Sequence, residues 1–73
     1  MNQEIIPTQL YVGRREDLMA ELYDGLSIYR GKYLVVPHGE ATWDAEGANS
    51  LKVVKQLIRE AKQAWPNIEV IWI

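Results

Sequence analysis

Apolar residues recur with two different periods along this chain, and each change of period marks an element. Thr8 to Val12 is a short β-prone run closed by Gly13, which predicts a first strand. From Arg14 to Asp24 the apolar positions Leu18, Met19, Leu22 and Tyr23 fall at helical spacing. Glu16 and Asp17 occupy the first turn of that predicted helix, where negative charge suits the helix dipole, and Gly25 ends it. Leu26 to Val36 alternates, which predicts a β-hairpin turning at Arg30-Gly31, with Leu26 opposite Val35 and Ile28 opposite Tyr33 on its core face. Arg is a poor residue for a two-residue primed turn, so a longer loop or a bulge stays open there. Pro37 ends the hairpin, and residues 37–50 read as a long irregular stretch.

Ser50 to Trp65 has the clearest periodicity. Leu51, Val53, Val54, Leu57, Ile58, Ala61, Ala64 and Trp65 share one broad helical face at about 100° per residue. Asn49 or Ser50 is the expected cap, and Pro66 stops the helix. Ile68 to Ile73 then reads as a strand. It is apolar on both sides, Ile68, Val70 and Trp72 on one and Ile71 and Ile73 on the other, the pattern of a central or covered strand. The order β-α-β-β-α-β predicts an α+β fold, one mixed four-stranded sheet with two helices on one face. The opposite face would then be bare, with Tyr29, Leu34, Val36, Ile71 and Ile73 forming an apolar patch of the kind that marks an interface. Trp65 and Trp72 are expected in the core.

Length limits this design to a single domain over 1–73 with a folding free energy of roughly 3–5 kcal/mol. That small margin favours a binding surface over a strained active site. The sequence has no Cys, which excludes disulfides, thiol nucleophiles and Cys-based zinc sites. Residues 1–7 lack the basic and apolar regions of a signal peptide, and no apolar run nears the ~20 residues of a membrane span. An intracellular protein with no membrane association is therefore expected.

Charge divides the chain. Residues 1–48 hold eight acids and four bases, a net −4, while residues 49–73 hold four bases and two acids, a net +2. Overall acidity argues against direct nucleic-acid binding, because phosphate contacts dominate that affinity. The second half leaves room for a local basic patch. Lys52, Lys55, Arg59 and Lys62 line one stripe of the second helix, suited to an acidic protein surface, although such stripes are often only solvated helix faces. Arg14, Arg15, Glu16 and Asp17 form a second candidate partner-binding region at the first helix start, with plain helix-start electrostatics as the alternative. Trp43, in the long loop, is a third: it either folds back on the core or serves as an interface anchor.

Catalytic patterns are missing: the isolated glycines make no phosphate loop, and zinc-protease and nucleophile-elbow motifs are absent. His38, the single His, could form an acid-base or metal site with Glu40, Asp44 and Glu46, but one His gives no ligand spacing, and an acidic solvated loop containing one His is the preferred reading. The reading is a non-enzymatic protein with no metal and no cofactor, a monomer rather than a homodimer.

The helix Ser50-Leu51-Lys52-Val53-Val54-Lys55-Gln56-Leu57-Ile58, running on to Trp65-Pro66 and the closing strand Ile68-Glu69-Val70-Ile71-Trp72-Ile73, resembles the small phage-encoded transcription regulators that bind bacterial RNA polymerase, of the kind carried by Xanthomonas phages. This resemblance covers about a third of the chain. It implies a protein acting in the cytoplasm of a bacterial host. There it would bind host RNA polymerase, inhibit sigma-dependent initiation and affect termination, by competition or altered subunit contacts. Another host-takeover or defence inhibitor, such as an anti-CRISPR protein, has the same size and composition. A nucleic-acid module resting on the basic stripe and a metal- or ligand-dependent enzyme resting on His38 are the remaining alternatives.

Overall fold

A computed structural model of the chain describes residues 6–39 and 44–73. Four strands, β1 (Gln9–Arg14), β2 (Tyr33–His38), β3 (Glu46–Ala48) and β4 (Glu69–Trp72), form one sheet in the order β3-β2-β1-β4. β2 runs antiparallel to both β1 and β3, and β4 runs parallel to β1. Two helices complete the fold, α1 (Arg15–Glu21) and α2 (Leu51–Ala64). The α+β class, the four-stranded mixed sheet and the β-α-β-β-α-β order are those expected from the sequence.

The helices, however, do not share a face. Side chains alternate along a strand, and the two core clusters divide β1 and β2 by that alternation. Leu10, Val12 and Val35 pack with Val54 and Ala61 of α2, whereas Leu34 and Val36 pack with Leu18 of α1 and with Leu26. One helix therefore lies on each side of the sheet. Leu34 and Val36, expected on a bare face, are almost completely buried. The reason lies between α1 and β2. Leu26 to Ile28 is not the first arm of a hairpin but part of a 3₁₀ segment, Asp24–Ile28, that folds back over the sheet beside α1. A strand there would have used the alternation of Leu26 and Ile28, but Leu26 is fully buried while Ile28 is 75% exposed.

The chain turns from this segment into β2 at Gly31, whose φ of +125° few side chains tolerate. Pro37 does not end β2. It lies within the strand opposite Leu10, and Thr8 N–H donates to the His38 carbonyl just beyond it. The hairpin partner of β2 is instead β3, in the stretch expected to be irregular. Glu46-Gly47-Ala48 has little β-propensity, so packing makes it a strand: Ala48 is buried in the α2-side core and Gly47 lets the Arg30 carbonyl approach closely.

α2 follows the pattern closely. Ser50 caps it, its hydroxyl accepting from Val53 N–H at 3.3 Å. Val54 and Ala61 are buried, with Leu57, Ile58 and Trp65 packed around them. Leu51 and Val53, at the start, stay about half exposed. No helix among the described residues is long and apolar enough to cross a membrane.

Candidate protein-binding edge

β4, whose apolar pattern predicts a central or covered strand, is at the edge of the sheet. Glu69 N–H donates to the Thr8 carbonyl at 3.0 Å and Ile73 N–H to the Val12 carbonyl at 2.8 Å. Odd-numbered residues thus turn their amides toward β1. The residues between them, Val70 and Trp72, turn N–H and C=O outward, and no described residue pairs with them on that side. Edge strands are commonly blunted by shortness, charge or proline. β3, at the other edge, is three residues long and carries Glu46. β4 carries one charge, at its first residue, and is otherwise Val70-Ile71-Trp72.

Both faces of β4 remain partly open. Trp72 shares the α2 side with Val12, its registered neighbour, and is 54% exposed, which corrects its expected place in the core. Ile71 and Ile73 lie on the other side; Ile73 is 39% exposed. The cause is the position of α2, which packs over β2 and β3 rather than over β4. Gly13 keeps β4 close: a Cβ there would meet the Ile73 carbonyl oxygen at 2.7 Å.

The flanks of α2 differ in charge. Leu57, Glu60 and Ala64 face β2 and β3, where with Leu10, Pro37 and Glu46 they line a partly open cavity of about 180 Å³. Glu60, the only acid of the helix, accepts a long 3.5 Å hydrogen bond from Gln56 on that far flank. At 100° per residue, Lys55 and Lys62 project from the opposite flank, toward the β4 side, with Arg59 and Lys52 next to them. All four are exposed. The basic stripe is thus carried on the flank of α2 that turns away from β3, on a helix seated over β2 and β3.

The remaining candidate residues have more local roles. Arg14 precedes α1 and is exposed, as are Glu16 and Asp17 in the first turn. Arg14 and Glu16 line a shallow polar recess with Lys32 and Tyr33. Arg15 is half-buried: its Nε donates to the Tyr29 carbonyl and its Nη2 to the Ser27 carbonyl, both at 2.9 Å, which ties the end of the 3₁₀ segment to α1. Arg15→Ala should therefore lower stability by about 1–2 kcal/mol, whereas Arg14→Ala should stay within about 0.5 kcal/mol. Urea unfolding followed by circular dichroism distinguishes the two; equal effects would remove the assigned clamp. Trp43 lies outside the described residues.

His38 does not converge with Asp44 or Glu46, two of the acids that could have joined it in a site. His38 shares the α1 side of the sheet with Tyr11, their rings edge to face at 5.4 Å. Glu46 pairs with Val35 and lies on the α2 side with Asp44, at the cavity. Glu40 lies outside the described residues. Among the described residues no three His, Asp or Glu side chains gather as a metal site.

The signal for the edge was present in the two-sided apolar pattern of residues 68–73, but that pattern fits a central strand equally well. Only strand order separates the two. Comparison with protein-family models, with curated proteins and with solved structures finds no match.

Proposed function

We propose that the protein is a non-enzymatic, protein-binding regulator that works by docking its β4 edge on a partner. The observation that carries this reading is an edge strand apolar on both faces, with the Val70 and Trp72 amides turned outward. Exposed edges of this type are templates for a strand from another chain. Backbone pairing would supply affinity, and the exposed Trp72 and Ile73 would supply apolar contact around it. Such a regulator acts by occupancy, changing what else its partner can bind.

The partner proposed is bacterial RNA polymerase. Its support is the resemblance of residues 50–58 and 65–73 to small phage regulators of that enzyme, and the second of these segments contains β4, the strand of the docking edge. The test mixes the chain with purified bacterial RNA polymerase holoenzyme. Co-elution in a stoichiometric complex, with loss of sigma-dependent run-off transcript, is expected. No complex at micromolar concentrations would remove polymerase as the partner and favour a defence inhibitor of the same build.

A further inference from the structure

We infer that the cavity between α2 and the β2–β3 side of the sheet receives an arginine side chain of a partner protein, its stem on the apolar floor and its guanidinium against the carboxylates of the mouth. This site is separate from the β4 edge, which contributes no residue to it. The space has a plain origin in the sequence. Leu57 packs onto the core, but the same face of α2 continues as Ala61 and Ala64, each a single methyl group, beside Leu10, Val35 and Pro37. Trp65, just past the helix end, supplies a further wall. About 180 Å³ is left unfilled. Protein interiors leave few voids larger than a water molecule, so an open apolar space in a domain this small calls for an occupant.

Size, charge and lining select that occupant. Sites that enclose a whole small molecule usually measure about 300–1,000 Å³. At about 180 Å³ this cavity has room for one side chain. Asp44, Glu46 and Glu60 are exposed carboxylates at its mouth, and among the described residues no Lys, Arg or His lines it. The bases of α2 project from the other flank of the helix. The local field therefore favours a cation. A metal ion would leave the apolar floor of Leu10, Val35, Leu57 and Ala61 unused, and among the described residues no three acids gather closely enough to hold one. Arginine answers both halves of the cavity. Its alkyl stem covers apolar surface while its charged end stays at the mouth. Its planar head has five donors, enough for more than one carboxylate, and is attracted to aromatic walls such as Trp65.

The experiment titrates the isotope-labelled full chain with a capped tripeptide, arginine between two alanines, and follows the backbone amides by NMR. Saturating shifts are expected at millimolar peptide, centred on residues 57–65 and 35–37. The same peptide with citrulline, a neutral isostere, should bind about tenfold more weakly or worse. Glu46→Gln with Glu60→Gln should lose a similar factor, and Ala64→Leu, which fills the mouth, should abolish the shifts. Glu21→Gln, an exposed acid on the α1 side of the sheet, should bind within about twofold of the parent. Circular dichroism of each variant checks that it folds. Equal binding of the citrulline peptide would overturn the charge assignment. Unchanged binding by Ala64→Leu would take the ligand out of the cavity, and no saturating shift would overturn the site. Free L-arginine binding as tightly as the peptide would overturn a partner protein as the source and give the cavity to a small molecule. None of these outcomes touches the reading of β4, whose amides report on that edge separately in the same spectra.

Discussion

Replacing Leu34 by Ala is expected to unfold much of the population at physiological temperature. Leu34 is fully buried beneath Leu18 and Leu26. Its registered neighbours on both sides are glycines, Gly13 on β1 and Gly47 on β3. No side chain beside it in the sheet can lean into the space that truncation leaves. Backbone walls relax poorly, and incomplete collapse is what raises the cost of large-to-small changes. A loss of about 3–4 kcal/mol follows, set against a total of roughly 3–5 kcal/mol for a chain of this size. Ile28→Ala serves as the comparison, since Ile28 is 75% exposed and its truncation should cost under about 0.5 kcal/mol. Urea unfolding gives both values, with unchanged slopes showing that the comparison is valid. A cost under about 1 kcal/mol for Leu34→Ala would mean that α1 does not cover this face, and that both helices lie on the other side.

That alternative is the arrangement the hydrophobic pattern alone favours, and the reason it fails is instructive. Helical periodicity identified both helices, and Ser50 and Pro66 marked the ends of α2 to within a residue or two. These signals are local: a cap, a breaker and a repeated face. Leu26-Ser27-Ile28-Tyr29 misled because alternation over four residues fits a strand as well as a tight turn that buries one residue in three. What decides between them is a distant side chain, Arg15, holding the Ser27 and Tyr29 carbonyls. β3 gave no signal, since Glu46-Gly47-Ala48 becomes a strand only through what lies beside it. Strand order was equally hidden, and with it the docking edge: residues 68–73 show the same apolar pattern at the centre of a sheet or at its rim. Of the candidate residues, the stripe of Lys52, Lys55, Arg59 and Lys62 was legible because helical spacing alone places it. Its relation to β4 was not, because that depends on which flank of α2 faces which strand.

Gly47→Ala is the second change expected to have a large effect, and its reach exceeds its size. A Cβ at position 47 would fall on the Arg30 carbonyl, a backbone group that cannot swing aside as a side chain could. At Gly31 next to it, a Cβ would meet the Ala48 amide nitrogen and carbonyl oxygen at 2.8 Å, and φ of +125° adds strain for any other residue. Residues 30–31 and 47–48 are therefore pressed backbone to backbone, and the approach holds β3 on the sheet. Ser50 caps α2 two residues beyond β3, so displacement of β3 loosens the start of the helix as well. Each single substitution is expected to cost about 2–3 kcal/mol. Gly25→Ala is the control: its Cβ would touch only the exposed Tyr23 ring, at 3.0 and 3.2 Å, and that ring can rotate away. Both harmful substitutions open the same contact, so the double variant should cost clearly less than the two single costs added together. A thermodynamic cycle measured by urea unfolding reads this directly. Strict additivity would show that the two glycines act at separate places and that β3 is held by something other than their shared approach.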